Sequence, residues 1–172
     1  FSLIRDAKSL DMLRESINCT HAALAPHQSP KHDHIIFHEG NLESADMNAF
    51  LASLNNEVAQ VRFVDVHHFG FEIEAPLRAR VVAFEDYWGL GYRLMCDFMA
   101  LRWFHALSRY KYAMRVDDDV CLLRLPSDPF TQLEETGATY AYGLLKEETH
   151  EETRDTFGPW LEAYVRDRKL ST

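Results

Sequence analysis

Three short apolar runs alternate with helical segments near the start of the chain, and this alternation limits the possible folds more than any other feature. The runs are Phe1–Ile4, Ile35–His38 and Val61–Val66, and the last is rich in β-branched residues. Apolar residues between the first two runs recur at helical spacing, as in Leu10–Ile17. Strands joined by helices favour parallel pairing in a doubly wound sheet, which binds ligands beyond the carboxyl ends of its strands. We therefore predict an α/β fold.

The size and charge of the chain exclude several classes of protein. With 172 residues, of which 47% are hydrophobic, it is long enough for one domain with a sizeable core. Its formal net charge of −9 argues against binding to a nucleic-acid backbone, which depends on Lys and Arg. An acidic protein can still bind a nucleotide through a bridging metal ion. No apolar run approaches the roughly 20 residues that cross a bilayer, so we expect no membrane segment in this chain.

The cysteines and histidines do not show the spacing of a zinc site. Cys19, Cys96 and Cys121 are odd in number, and one disulfide plus one free thiol remains open. Four histidines lie between residues 27 and 38, and we interpret them as solvated loop residues. They are His27, His32, His34 and His38. The first residue is not a methionine and lies in a strand-like run, so we expect further sequence upstream.

Three consecutive aspartates interrupt a strand-like segment that extends from Tyr110 to Leu123. Two residues apart in an extended chain, Asp117 and Asp119 can turn their carboxylates to one side and bind a hard cation such as Mn²⁺ or Mg²⁺. Arg115 offers a competing explanation, a structural ion pair with one aspartate. Both can hold, because three carboxylates exceed what one guanidinium compensates. We predict a metal site at Asp117 and Asp119.

A second strand-like run also ends in acidic residues. Tyr140–Leu145 is followed by a charged stretch that includes Glu147. In a parallel sheet, both acidic strand ends would open at the same edge, so we place Glu147 in the same site. Glu151 and Glu152 are interpreted instead as the first turn of a helix, where the helix dipole stabilises acidic side chains.

Helical segments complete the pattern. A helix from Gly91 to about Arg109 is apolar nearly all round, which predicts burial between the sheet and a further layer, with Trp103 and Phe104 in the core. Asp128–Pro129 predicts the start of another helix that ends at Gly137.

An ordered set of motifs between Trp88 and Thr153 resembles the α-1,2-mannosyltransferases of glycosyltransferase family 15, which are fungal Golgi enzymes that use GDP-mannose. The motifs are Gly91–Phe98, Tyr112–Val120, Asp128–Phe130 and Tyr140–Thr149. The resemblance implies a GT-A-like, Rossmann-like fold with a mixed, mainly parallel sheet flanked by helices. It implies a Mn²⁺-dependent retaining enzyme that transfers mannose to a glycan or glycoprotein. It also implies a lumenal domain of the Golgi or secretory pathway, behind an N-terminal membrane anchor that this chain lacks.

The resemblance also assigns residues. The family's metal-site acid falls on Asp117, where the family has Glu followed by Pro; Asp117–Asp119 is closer to the Asp-X-Asp of other GT-A enzymes. The proposed nucleophile falls on Glu147, with Glu148 as the alternative one residue later. Donor-binding candidates are Arg5, Tyr92 and Arg93. We expect residues 1–172 to form a single catalytic domain that is partial at both ends, because family domains extend further.

Two other functions fit the same residues. The chain could be a non-catalytic remnant that binds a nucleotide sugar or a divalent cation. It could also be a structural domain whose aspartates form a calcium-type acidic turn. Binding of GDP without turnover distinguishes the first alternative, and no effect of GDP on the melting temperature distinguishes the second.

Overall fold

The computed structural model describes residues 1–27, 32–54, 60–73, 76, 89–143, 149–151 and 153–169. The chain divides into two compact units, Phe1–Gln132 and Leu133–Thr172.

The first unit is built on a three-stranded parallel sheet with the strand order β1-β2-β3. Its strands are β1 (Ser2–Ile4), β2 (Asp33–His38) and β3 (Gln60–Asp65), and the connecting segments contain helices α1 (Leu10–Leu24) and α2 (Ser44–Ser53). Asp6 accepts a hydrogen bond from the Lys8 amide and so caps a short 3₁₀ turn that leads into α1. The predicted α/β class is confirmed.

Alternation along β2 divides the core into two clusters, because successive side chains of a strand point to opposite faces. Ile36 is fully buried and packs with Leu13 of α1 and Phe50 of α2. Ile35 and Phe37 belong to the cluster on the other face. Full burial of one such side chain contributes about 1.5–3 kcal/mol, so these clusters fix the sheet against its helices.

The second face of the sheet is covered by a long helical region. It consists of α3 (Gly89–Asp97), a π-helical segment (Phe98–Arg102) and α4 (Trp103–Ala106). Phe98 is fully buried and meets Phe37 edge-on, with 5.0 Å between ring centroids. Trp103 stacks on Phe1 at 4.9 Å.

The prediction that this helix is buried on all sides is wrong for Phe104, which is 57% exposed. Within the described residues, only one side of the helix packs against the sheet, and Phe104 stacks on Trp103 beside that contact. The apolar character of the sequence did not reveal which side of the helix would find a partner.

The segment from Tyr110 to Leu123, which we predicted to be strand-like on both sides of the three aspartates, does not form a regular strand. The Phe1 nitrogen donates to the Met114 carbonyl oxygen (2.6 Å), and the Val116 N–H donates to the Phe1 carbonyl oxygen (2.9 Å). This is the bonding pattern of a parallel ladder, but it covers only a short stretch. The Ser2 hydroxyl also donates to the Val116 carbonyl oxygen (2.7 Å). These bonds place the segment beside β1, so that its carboxyl end leads to the same edge of the sheet.

A disulfide joins Cys19 of α1 to Cys121, across a sequence separation of 102 residues. Cys96 is free and exposed. The alternative left open by the sequence, one disulfide plus one free thiol, is therefore the one found. Because Cys121 follows the three aspartates closely, the bridge anchors their position against α1.

Helix α5 (Pro129–Thr136) begins as the sequence predicted. Asp128 accepts hydrogen bonds from the Phe130 amide (3.0 Å) and the Thr131 hydroxyl (3.1 Å), as expected of an N-cap. Gly137 follows the helix with a φ of 67°, a conformation that glycine adopts without a steric cost.

The second unit contains helix α6 (Gly158–Asp167), which is preceded by a π-helical segment (Thr153–Phe157). The predicted strand at Tyr140–Leu145 is wrong for residues 140–143, which form neither strand nor helix and expose both tyrosines. Residues 144 and 145 lie outside the described residues.

Candidate active site

The three parallel strands end together at one edge of the sheet, and polar residues follow each of them. This carboxyl edge carries Arg5 and Asp6 after β1, Glu39 and Gly40 after β2, and His67 shortly after β3. Loops at the carboxyl edge of an α/β sheet are the usual place for a ligand.

Asp65 and His67 form the most ordered pair at this edge. The Asp65 Oδ1 atom accepts hydrogen bonds from the His67 amide (2.9 Å) and from His67 Nδ1 (2.8 Å). Burial tends to raise the pKa of Asp65, but the hydrogen bonds from His67 and the nearby imidazoles of His67 and His38 outweigh it, so the pKa is lowered. Asp65 is therefore kept as a carboxylate.

Gly40 allows the loop after β2 to approach this pair. Its φ is +74°, and a Cβ atom placed there would lie 3.0 Å from Asp65 Oδ2 and 3.3 Å from His67 Nδ1. The Gly40 N–H donates to His38 Nδ1 (3.1 Å), which leaves that ring nitrogen unprotonated. The close approach of Gly40 to Asp65 and its hydrogen bond to His38 hold the ends of β2 and β3 together.

Burial changes the titration of two further residues at the edge. It lowers the pKa of His38, with the Asp65 charge acting in the opposite direction and His67 adding to the lowering. It raises the pKa of Glu39, and Arg5 is the main group that opposes this rise. Burial therefore shifts the pKa values of His38 and Glu39 in opposite directions.

The interpretation of the four histidines as solvated loop residues is wrong for His34 and His38. Both lie in β2, with exposed fractions of 5% and 7%. The sequence placed His38 at the end of a strand-like run and His34 just before it, but only the packing of helices on both faces of the sheet buries them.

The three aspartates form a turn rather than an extended segment. The Val120 N–H donates to the Asp117 carbonyl oxygen (3.2 Å), and the Ser16 hydroxyl of α1 donates to the same oxygen (3.0 Å). Burial raises the pKa of Asp118, while a hydrogen bond from Ser9 opposes the rise. Together with the disulfide, these contacts fix the turn Asp117–Asp119, called the acidic turn below, on α1.

The structural ion pair that we considered as an alternative to metal binding is present. Arg115 Nε lies 2.7 Å from Asp117 Oδ1, and both side chains are about half exposed. Asp119 is exposed. The ion pair compensates Asp117, and Asp118 accepts the hydrogen bond from Ser9.

The donor atoms of the acidic turn suit a hard cation, because carboxylate oxygens are the ligands that Mn²⁺ and Mg²⁺ prefer. However, among the described residues, no group of three His, Cys, Asp or Glu side chains is arranged to hold a metal ion. The assignment of Asp117 and Asp119 as metal ligands therefore stays a prediction.

The remaining predicted residues lie in different places. Arg5 is at the carboxyl edge, and its carbonyl oxygen accepts a hydrogen bond from Asn41 Nδ2 (2.6 Å). Tyr92 and Arg93 are exposed on α3, and Cys96 on the next turn raises the pKa of Tyr92. Glu147 and Glu148 lie outside the described residues.

Four residues of the edge were missed by the sequence reasoning, namely His38, Glu39, Asp65 and His67. Their signal was their position: each lies at the end of a predicted strand or within two residues of it. They were overlooked because no fixed motif marks them.

Comparison with solved structures finds matches to the fold of this chain. The chain superposes on the mannosyltransferase Ktr4p from S. cerevisiae with a TM-score of 0.68 at 16% sequence identity, covering 96% of this chain and 43% of that one. The complex of Ktr4p with GDP gives a TM-score of 0.65 at 15% identity, covering 96% and 44%. No family model and no curated protein matches the sequence. The predicted resemblance is therefore confirmed at the level of the fold, and the chain spans less than half of the solved structures that it matches.

Proposed function

We propose that this chain is a glycosyltransferase domain that transfers mannose from GDP-mannose to a glycan or glycoprotein acceptor. The observation that carries the proposal is the fold, which matches a mannosyltransferase over 96% of this chain. The same protein has been solved in complex with GDP, which supports a guanosine nucleotide as the ligand of this fold. We further propose an α-1,2 linkage, retention of the anomeric configuration, and one catalytic domain comprising residues 1–172.

The carboxyl edge and the acidic turn supply the groups for donor binding. A sugar nucleotide carries a negative diphosphate, which an acidic turn repels unless a cation lies between them. Asp117 and Asp119 would hold Mn²⁺ or Mg²⁺ through carboxylate oxygens. When bound, the cation neutralises the charge that develops on the departing diphosphate. Arg5 would contribute a positive charge at the same edge.

The remaining roles follow from the resemblance. Glu147, or Glu148 one residue later, would face the anomeric carbon from the side opposite the departing diphosphate and stabilise its positive charge or attack it. Tyr92 and Arg93 would contact the donor. During transfer, the bond between the anomeric carbon and the diphosphate oxygen breaks, a bond to an acceptor hydroxyl oxygen forms, and the hydroxyl proton passes to the departing diphosphate.

The disulfide supports a location in the Golgi or another lumenal compartment. Disulfides persist in the secretory pathway and are rare in the reducing cytosol. Cys19 and Cys121 are joined in the structure, so the domain suits an oxidising lumen. No helix of the described ranges is both long and apolar enough to cross a membrane.

The proposal is tested by donor binding and turnover. GDP-mannose with Mn²⁺ should raise the melting temperature of the purified chain, because ligand binding to the folded state stabilises it. Release of GDP in the presence of a mannoside acceptor measures turnover. Asp119→Asn should lower turnover by about 100-fold or more, the effect of removing one group that stabilises developing charge. Asp46→Asn, an exposed acid on α2, is the matched control.

Two results would contradict the proposal. A melting-temperature shift with a uridine sugar but not with GDP-mannose would reject the donor. Unchanged turnover in Asp119→Asn would reject the metal-site assignment.

A second candidate is a non-catalytic domain that binds a nucleotide sugar or a divalent cation. The observation in its favour is the Arg115–Asp117 ion pair, which already occupies one of the two proposed metal ligands. This candidate predicts that GDP and Mn²⁺ bind in isothermal titration while GDP-mannose is neither transferred nor hydrolysed.

A further inference from the structure

Three consecutive residues of α1, Asn18, Cys19 and Thr20, form the pattern Asn-X-Ser/Thr in which X is not proline. This pattern is the acceptor sequence for N-linked glycosylation, a modification of chains that enter the secretory pathway. Of the five asparagines in the chain, only Asn18 is followed two positions later by Ser or Thr. Because so short a pattern also arises by chance, the structure around it decides whether it can be used.

Asn18 lies on the outer face of α1. Exposed residues recur every three or four positions along this face, and they are Asp11, Glu15, Asn18 and Ala22. Leu13 and Ile17 lie on the opposite face of the helix and are fully buried in the core. A glycan attached to Asn18 Nδ2 would therefore extend into solvent and displace no core side chain.

Thr20 has a hydroxyl group that the folded chain does not use. The residue is 2% exposed, and its Oγ1 atom has no hydrogen-bond partner within the part of the chain that the structure describes. A buried hydroxyl without a partner costs stability, whereas an apolar group of the same shape does not. Modification of Asn18 accounts for the hydroxyl, because the acceptor pattern requires Ser or Thr two residues after the asparagine.

The burial of Thr20 also sets the order of events. A modifying enzyme can reach its hydroxyl only before α1 packs on the sheet. Cys19, the residue between Asn18 and Thr20, is joined to Cys121, which lies 102 residues later in the sequence. Since a chain is synthesised at roughly 5–20 residues per second, Cys121 follows Cys19 by about 5–20 s. Asn18 is therefore accessible before the disulfide can close.

We propose that Asn18 is an N-linked glycosylation site, modified in the lumen of the secretory pathway before the Cys19–Cys121 disulfide closes. In this step, Asn18 Nδ2 forms a bond to the anomeric carbon of an oligosaccharide, and the bond from that carbon to the diphosphate of a lipid carrier breaks. One amide proton of Asn18 passes to a base of the oligosaccharyltransferase, and the lipid diphosphate leaves.

This inference rests on the lumenal location proposed above and is independent of the mannosyltransferase activity. A chain that transfers mannose but carries no glycan would overturn only the modification of Asn18. A glycosylated chain that transfers no mannose would overturn only the proposed activity.

The test is expression of the full chain behind a cleavable signal peptide in eukaryotic cells, followed by treatment with peptide-N-glycosidase F. We expect an increased apparent mass that this treatment removes. The glycosidase leaves aspartate wherever a glycan was attached, so mass spectrometry of the reduced tryptic peptide 15–31 should find aspartate at position 18 only after treatment.

Matched variants separate the acceptor pattern from effects on folding. Asn18→Gln and Thr20→Val should each abolish the mass shift. Thr20→Val keeps the shape of the buried side chain and removes only the unpaired hydroxyl, so this variant should still fold. Thr20→Ser retains the pattern and should retain the glycan. Asn48→Gln changes an exposed asparagine of α2 outside any such pattern and should leave the shift unchanged.

Cys121→Ser tests the order of events. This variant should carry as much glycan as the intact chain, because transfer to Asn18 precedes the disulfide. The proposal is overturned if the secreted chain shows no mass shift or if Thr20→Val retains it. It is also overturned if Cys121→Ser carries more glycan than the intact chain, because the disulfide would then close before the transfer.

Discussion

The two ends of the parallel sheet place histidines in different surroundings. At the carboxyl edge, His38 and His67 are hydrogen-bonded to neighbouring groups, and both imidazoles help to lower the pKa of Asp65. At the amino end, His34 and His21 pack edge-on, with 5.6 Å between ring centroids, and burial lowers the pKa of each. The histidines at the carboxyl edge therefore lie beside a carboxylate, whereas His34 and His21 at the amino end are kept neutral by burial. This difference supports a charged ligand at the carboxyl edge.

The largest predicted effect on stability concerns the disulfide that holds the acidic turn on α1. Replacing both Cys19 and Cys121 by Ser should lower the free energy of unfolding by about 4 kcal/mol, because a bridge across roughly 100 residues strongly restricts the unfolded chain. Urea denaturation under non-reducing conditions measures it. Cys96→Ser, at the free and exposed cysteine, should change stability by less than about 0.5 kcal/mol. Equal stability of the two variants would mean that the bridge does not restrain the fold.

The second prediction concerns the amino end of the sheet, where the stability that His34 provides should depend on pH. Burial holds the folded-state pKa of His34 below the ordinary value of 6.5, so the unfolded chain binds the proton first as the pH falls. The stability that His34 provides is complete above pH 6.5 and is lost below it, at up to about 1.4 kcal/mol per pH unit. His34→Gln removes the titrating group, so its stability should fall less steeply between pH 6.5 and 5.

Urea denaturation at several pH values measures this difference. Between pH 7.5 and 8.5, where the imidazole is neutral in both states, the difference between parent and variant should be constant. Parallel curves from pH 8.5 to 5 would contradict a neutral, buried His34.

The third prediction tests how closely the loop after β2 packs on Asp65 at the carboxyl edge. Gly40→Ala should cost about 1–2 kcal/mol, because an L-residue is strained at a φ of +74° and its Cβ would crowd Asp65. Gly137→Ala is the matched control: its φ is +67°, but no atom lies within 4 Å of the added Cβ. The additional loss in Gly40→Ala, measured by thermal unfolding, reports the crowding alone. Equal losses would mean that the loop after β2 does not pack closely on Asp65.

The smallest effect on stability is expected at the Arg115–Asp117 ion pair. Arg115→Gln should change the free energy of unfolding by less than about 1 kcal/mol, because the pair is about half exposed. The affinity for Mn²⁺ should increase, since Asp117 loses a competing cation. Isothermal titration with Mn²⁺ tests this, and a decrease in affinity would show that Arg115 supports the site instead of competing for it.

Local patterns predicted much of the first unit. The three strands, α1, the N-cap at Asp128 and the glycine after α5 were all indicated by periodicity or by short motifs, which act over a few residues. Features that depend on contacts between distant residues were predicted less well from the sequence. In place of the strand-like runs predicted on the two sides of the aspartates, the segment Tyr110–Leu123 forms a short ladder with Phe1 and a turn, because hydrogen bonds to distant residues determine how far a strand extends.

The sequence of this protein by itself determined the order of strands and helices, and thereby the edge at which a ligand would bind. It also determined that three aspartates lie near that edge. Only the tertiary structure decided that Ser16 and the disulfide hold the acidic turn on α1, that His34 and His38 are buried, and that Phe104 is exposed. The reason is physical: backbone preferences are set by neighbours in sequence, whereas burial and pairing depend on residues that are distant in the chain and meet only when it folds.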